Sequence, residues 1–309
     1  MAILFSSDID APEPWRAVLS QEFPDLDFRV WPDAGDVSQI RYALIWKIEP
    51  GVLNALPNLQ AVLALGAGVD QILADPAFPK AVPLLRLVDA GLKEQMSEYG
   101  VFGTLYFHRN MGTYLDQQRR QVWQMHPAVH PAERRVGVMG LGVLGGDLAG
   151  KLAALGFRTL GWSRTDKPLD GVQCFAGDAG FDDFLAASEI LINLLPLTPA
   201  TREILSADLF AKLPRGAVVI NMGRGGHLAE DDLIPALDSG HLGGAMLDVV
   251  AHEPLAAGHP FWSHPKIVVT PHVACQPIAD LAKAQVIANI RRLENGEPPT
   301  GRVDPDLGY

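Results

Sequence analysis

The chain has 309 residues, 48% hydrophobic and 20% charged, enough to bury two cores of ordinary size in a globular protein. A formal charge of -11 excludes nucleic acid as a partner, since binding to its backbone needs a basic face, and leaves small anions held by a few well-placed cations. No run approaches the ~18 apolar residues of a membrane span, and the apolar start is broken at Ser6, so a cytoplasmic location without membrane contact is expected.

Short apolar runs at 2–5, 28–31, 42–46, 61–65 and 84–88 alternate with helical or Pro/Gly-marked stretches. That rhythm predicts a five-stranded, flavodoxin-like α/β unit. In the loop 65–70, the small residues Gly66, Ala67 and Gly68 would leave backbone N–H groups, with that of Val69, open to a carboxylate. Trp46 and Lys47, at the end of the third run, are candidate walls of the same site.

A proline-free helix is predicted over 93–110, and the polar stretch 117–135 leads into a second series of runs at 136–139, 158–162, 190–194, 217–221, 245–249 and 267–270. Several are apolar throughout, as parallel strands buried on both faces are. Helices between them are marked by Leu148, Leu152 and Leu155 at i, i+4, i+7, by Ser206 as N-cap for Leu209, Phe210 and Leu213, and by a stop at Gly240. Six strands in two βαβαβ halves make the doubly wound dinucleotide fold. A last helix over 278–294, with Leu281, Val286, Ile290 and Leu293 apolar, has no strand after it and is predicted to pack on the first unit. The expected architecture is therefore α/β with two doubly wound domains. A Rossmann dinucleotide-binding domain (99–278) is joined to a smaller, discontinuous flavodoxin-like substrate domain (1–98 plus 279–309).

Gly140-Leu141-Gly142-Val143-Leu144-Gly145 follows one predicted strand and opens a predicted helix. In that context Gly140 permits the tight turn, Gly142 lets the backbone approach a pyrophosphate, and Gly145 lets helix and strand pack closely. The next strand ends in Ser163, Arg164 and Thr165, where an NAD site usually carries Asp or Glu for the ribose 2′-OH. Arg164 can instead grip a 2′-phosphate in bidentate fashion, Ser163 and Thr165 can donate to it, and Lys167 adds charge. NADP, as NADPH, is favoured, with NAD the alternative.

Three ionisable residues follow later strands: Arg224 in Asn221-Met222-Gly223-Arg224-Gly225, Glu253 five residues after Asp248, and His272 in Thr270-Pro271-His272-Val273-Ala274. A cation, a carboxylate and an imidazole are what is needed to hold a 2-oxo acid and protonate its carbonyl oxygen. His252 reads as a neighbour of Glu253, and His227, His241, His259 and His264 as surface or capping groups. Cys174 and Cys275 are too few for a disulfide framework and have no zinc spacing, so free thiols and no metal are expected.

The glycine fingerprint, Pro196-Leu197-Thr198-Pro199, the Arg224 motif, the stretch from Asp248 to Pro254 and Pro271-His272 together resemble the D-isomer-specific 2-hydroxyacid dehydrogenase family over nearly the whole chain. Leu65-Gly66-Ala67-Gly68-Val69-Asp70, Glu94-Gln95-Met96-Ser97-Glu98-Tyr99 and Gly301-Arg302-Val303-Asp304 resemble its GhrA-type glyoxylate/hydroxypyruvate reductases, which prefer NADPH. The resemblance implies that Arg224 holds the substrate and that His272 donates the proton. Glu253 would orient the imidazole and favour its protonated form. Val143, Leu144, Pro196, Thr201 and Met222 would line the cofactor, and Asp248 would accept from the nicotinamide carboxamide. It also implies a small anionic 2-oxo acid as substrate and a homodimer joined through the dinucleotide domain, to which the 93–110 helix is a candidate contributor. Gly100 and Gly223 depart from the family pattern. Two alternatives stay open: a same-fold, non-catalytic NAD(P)-sensing corepressor, and another dehydrogenase of the family, such as one acting on phosphoglycerate.

Overall fold

The computed structural model describes residues 1–88 and 91–304. In chain order the elements are β1 (Ala2–Ser6), α1 (Pro12–Glu22), β2 (Asp27–Val30), β3 (Ile40–Ile45), β4 (Ala61–Ala64), α2 (Asp70–Leu73) and β5 (Leu84–Leu85). After α3 (Leu92–His108) and α4 (Met111–Arg119) come β6 (Arg135–Met139), α5 (Val143–Ala154), β7 (Arg158–Ser163), β8 (Val172–Ala176), α6 (Phe181–Ala187) and β9 (Ile190–Asn193). The remainder is α7 (Ala207–Lys212), β10 (Ala217–Asn221), α8 (Glu230–Asp238), β11 (Leu242–Leu247), β12 (Ile267–Val269) and α9 (Ala279–Glu294).

The chain divides into two compact units, Met1–Leu92 with Gln276–Tyr309, and Lys93–Cys275. The first holds a parallel sheet in the order β2-β1-β3-β4-β5, the flavodoxin-like arrangement the strand rhythm predicts. Its core joins Leu4, Ile45, Val62 and Leu84 on one sheet face. The C-terminal helix belongs to this unit. α9 buries Ala282, Val286, Asn289 and Ile290, Glu294 accepts from the Tyr42 hydroxyl, and Gln285 accepts from the Val88 N–H at 3.1 Å. Leu281, expected on the buried face, is exposed; Ala282 takes that place one residue on.

The second unit carries seven parallel strands, β12-β11-β10-β9-β6-β7-β8. Sequence reading misses β8, because Val172–Ala176 is a partly exposed strand at the sheet edge, next to β7, and carries no continuous apolar run. The interior strands β9 and β10 are buried at every residue. Ser206 occupies the N-cap of α7 without a side-chain bond; the Ala207 N–H goes instead to Asp232 Oδ2 at 2.8 Å. Gly240 follows α8 at φ +68°, a left-handed stop that a side chain would oppose. Leu155 lies just past α5 and is exposed, whereas Leu148 and Leu152 are fully buried. Gly100 has a packing reason: a Cβ there would stand 2.5 Å from the buried Leu148 side chain, so its absence lets α3 lie close on α5. Among the described residues no helix is long and apolar enough to cross a membrane.

Candidate active site

Parallel strands bring their carboxyl ends to one edge, and in the second unit that edge collects Gly140 after β6, Arg164 after β7, Pro196 after β9, Arg224 after β10, Glu253 after β11 and His272 after β12. The imidazole and the carboxylate meet directly. His272 Nδ1 lies 2.7 Å from Glu253 Oε2, and both side chains are a little over one-third exposed. Burial opposes ionisation of Glu253. The hydrogen bond and charge of His272, the Val250 N–H at 3.3 Å and the Arg224 cation together outweigh it and hold the carboxyl below its usual range. With Nδ1–H directed at Glu253, Nε2 is the ring nitrogen that the pair leaves for another partner.

His272 is held in a left-handed conformation, φ 55°, which costs a non-glycine residue roughly 1–2 kcal/mol. Asp248 stabilises it from below. The Asp248 carbonyl accepts the His272 N–H at 2.8 Å, and its buried carboxylate accepts from Val273 N–H, Ala274 N–H and the Thr270 hydroxyl at 2.9, 2.8 and 2.6 Å. Three of about four acceptor positions on that carboxylate are thus taken within the loop. Thr270 Oγ1 in turn lies 2.6 Å from the Tyr99 hydroxyl on α3.

The Arg224 loop packs against the Glu253 loop with no room between them. A Cβ on Gly225 would stand 1.8 Å from the Val250 carbonyl oxygen, so only glycine allows the approach. Glu230, opening α8, holds the other side by accepting the Ala251 N–H at 2.9 Å. Burial pushes the Cys275 thiol up to about 11, with the nearby Arg224 and Asp248 charges acting in opposite senses, so its thiolate is absent at neutral pH.

The glycine turn fits a dinucleotide. Gly140 is at φ +107° and a Cβ on Gly145 would meet the Gly140 oxygen at 1.9 Å, whereas a Cβ on Gly142 would meet nothing within 4 Å. The two outer glycines are thus required by the fold, and the middle one faces open space at the N-terminus of the 12-residue α5. Val143 is exposed and Leu144 half-buried. Arg164 and Thr165 are exposed, while Ser163 is buried and donates its hydroxyl to the Thr165 carbonyl at 2.7 Å. Lys167 Nζ reaches the Leu141 carbonyl at 3.3 Å, which sets a second cation beside the turn. Thr201 folds the following loop, donating to the Pro196 carbonyl at 2.7 Å and accepting the Thr198 N–H at 2.8 Å. The Met222 side chain is buried in the core, and its N–H donates to the Asn193 carbonyl at 3.3 Å.

In the first unit, the loop after β4 keeps three unbonded donors. Among the described residues, the N–H groups of Ala67, Gly68 and Val69 have no hydrogen-bond acceptor. Trp46 is half-buried against this loop, since a Cβ on Gly66 would stand 2.5 Å from its ring.

Of the two roles expected of His227, surface or capping, the structure keeps the capping one and corrects the surface one, since His227 caps the short turn Gly225–His227 from within the core. It is fully buried, with Nδ1 accepting the Arg224 N–H at 3.1 Å. Asn193 and Asn221, also fully buried, join at the ends of β9 and β10, with Asn193 Nδ2 donating to Asn221 Oδ1 at 3.0 Å. A polar residue closing an apolar strand was the available signal for both. His259 and His264 do act as caps, accepting the Phe261 and Lys266 N–H groups.

A family model for the NAD-binding domain of D-isomer-specific 2-hydroxyacid dehydrogenases matches residues 101–274. The chain belongs to this family. It is therefore grouped with oxidoreductases, and the likeness extends beyond the matched domain. The chain is 44% identical to glyoxylate/hydroxypyruvate reductase A of Serratia proteamaculans and 42% identical to that of Yersinia enterocolitica, each over the whole of both chains. Among solved structures it is similar to a D-isomer-specific 2-hydroxyacid dehydrogenase of Xanthobacter autotrophicus in complex with NADPH and MES (43% identity, TM-score 0.94, covering 100% of this chain and 99% of that one). It is also similar to the NADPH-dependent glyoxylate/hydroxypyruvate reductase of Sinorhizobium meliloti in complex with NADP and sulfate (39% identity, TM-score 0.92, covering the whole of both chains).

Proposed function

We propose that the protein reduces small 2-oxo acids, glyoxylate to glycolate and hydroxypyruvate to glycerate, with NADPH as the preferred cofactor and NAD(H) as a poorer substitute. The observation that carries the reading is the 2.7 Å His272–Glu253 pair under the charge of Arg224, in a family whose full-length relatives are named for these two reductions. The glycine turn and α5 would hold the pyrophosphate, and Arg164 with Thr165 and Lys167 the 2′-phosphate; Pro196, Thr201 and the Met222 backbone would line the nicotinamide side. A reduced nicotinamide nucleotide bound there supplies the hydride.

The residues of the chain supply the rest. The planar donors of Arg224 hold the substrate carboxylate and polarise the C2 carbonyl, which a lysine could match only as a point charge. His272 Nε2–H donates its proton to the carbonyl oxygen as negative charge develops, while Glu253 keeps Nδ1–H and the ring orientation fixed. Asp248 holds the turn that presents His272 and retains room for one further donor, such as a carboxamide. The free N–H groups of Ala67, Gly68 and Val69, with Trp46 beside them, suit recognition of the substrate carboxylate.

The test is the loss of NADPH absorbance with each acid. Arg224→Ala and His272→Ala are each expected to lower kcat/KM by on the order of 100-fold or more. Wild-type protein inert toward both acids but active on another 2-oxo acid would overturn the substrate assignment, and a variant retaining turnover would overturn that residue's role.

The protein is further proposed to act as a cytoplasmic homodimer. Its cysteines are free thiols, which suits a reducing compartment. Within the second unit, Phe102 and Leu105 on α3, Met111 and Leu115 on α4, and Trp123 and Met125 after it are all exposed, the last two at 100% and 86%. Large apolar side chains in that number on one unit suit burial against a second copy.

A further inference from the structure

Arg224 must present its guanidinium at a fixed angle to grip a planar carboxylate, yet it sits in a loop and is only half-buried. Its peptide groups are held from both sides. The Asn221 side-chain amide donates to the Arg224 carbonyl at 3.0 Å, and His227 Nδ1 accepts the Arg224 N–H at 3.1 Å. Neither clamp is loose. Asn221 Oδ1 accepts from Asn193 Nδ2 at 3.0 Å and from the Gly223 N–H at 3.3 Å, which settles the amide orientation. Asn193 Oδ1 then accepts the Leu195 N–H at 3.2 Å, one residue before Pro196.

His227 is tied to the same neighbouring loop through its backbone. Its carbonyl accepts the Leu205 N–H at 2.8 Å, and the Gly226 carbonyl accepts the Glu203 N–H at 2.9 Å. Asn193, Asn221 and His227 are all fully buried, and an unfilled polar contact there would be costly. Two asparagines closing strands that are otherwise apolar, with a buried histidine in the turn after the second, would be a poor choice for packing alone.

We propose that His227 and Asn221 are positioning residues that clasp the Arg224 backbone, with Asn193 fastening the clasp to the loop that begins at Leu195. The proposal rests on the reading that Arg224 binds the 2-oxo acid. It assigns the clasp a role in substrate affinity rather than only in folding, because the groups it holds are the two peptide groups flanking the guanidinium-bearing residue. The acceptor at His227 must be unprotonated Nδ1, whose position an asparagine oxygen can reproduce and a leucine cannot.

The test compares His227→Leu, His227→Asn and Asn221→Ala by KM for glyoxylate, by oxalate affinity in the presence of NADP, and by melting temperature. His227→Leu and Asn221→Ala are expected to raise KM and weaken oxalate binding by about tenfold or more while leaving KM for NADPH within about twofold. His227→Asn should recover most of that loss, to within about threefold of wild type, even though its melting temperature falls as far as that of His227→Leu. In an Arg224→Ala background, neither substitution should weaken oxalate further.

Equal losses in His227→Asn and His227→Leu at equal melting temperatures would overturn the proposal. So would additive losses in the Arg224→Ala background. If His227→Leu does not fold, Asn221→Ala and its double variant with Arg224→Ala decide the matter alone. Unweakened oxalate binding in Arg224→Ala itself would instead sink the reading of Arg224, a separate result.

Discussion

At the residue scale, the site works through enforced proximity. Glu253 keeps its charge because His272, the Val250 N–H and Arg224 together outweigh its burial. Its folded value lies below the unfolded one, so the pair with His272 is intact above the ordinary glutamate range and is lost only as pH falls through the depressed value. The acid limb of kcat/KM for glyoxylate reduction is therefore expected below the usual carboxylate range, and a pH profile showing it at an unperturbed glutamate value would contradict this. Gly225 sets a harder limit. Because the atom a Cβ would strike is the backbone oxygen of Val250, Gly225→Ala is expected to lower kcat/KM by roughly 100-fold or to prevent folding, read from kinetics beside a thermal melt. The identities of Arg224, Glu253 and His272 were legible because each stands in a short distinctive context after an apolar run. His227 was legible only as a capping group, because a histidine's burial depends on loop neighbours that spacing does not reveal.

At the element scale, the carboxyl end of β7 is the place proposed to decide cofactor choice. Ser163 is buried and bonded to Thr165, leaving the exposed Arg164 as the side chain best able to meet a 2′-phosphate. Arg164→Ala is expected to raise KM for NADPH on the order of tenfold or more while changing KM for NADH little, a comparison made by steady-state kinetics with each cofactor. Strands were readable wherever both faces are buried, as in β9 and β10, since a continuous apolar run marks them. β8 was unreadable for the opposite reason, being a half-exposed edge. Helix ends divided similarly. Gly240 announced its stop through backbone conformation, whereas the cap of α7 came from Asp232, 25 residues away.

At the scale of the whole molecule, Trp123 is fully exposed and Met125 nearly so on the same unit as α3 and α4. Trp123→Asp is expected to shift the protein toward monomer in sedimentation velocity, and an unchanged sedimentation coefficient would count against this face. The sequence alone determined the two α/β series, their parallel strands, the return of the last helix and the three residue types at one sheet edge. Those follow from local periodicity and from the rule that parallel strands share a carboxyl edge. Tertiary structure decided how the groups at that edge are held. Asp248 as anchor of the His272 turn, the contact of Gly225 with Val250, and the Asn193–Asn221–His227 clasp all join residues distant in the chain or aim a side chain within a loop, and no spacing in one strand or helix encodes such geometry.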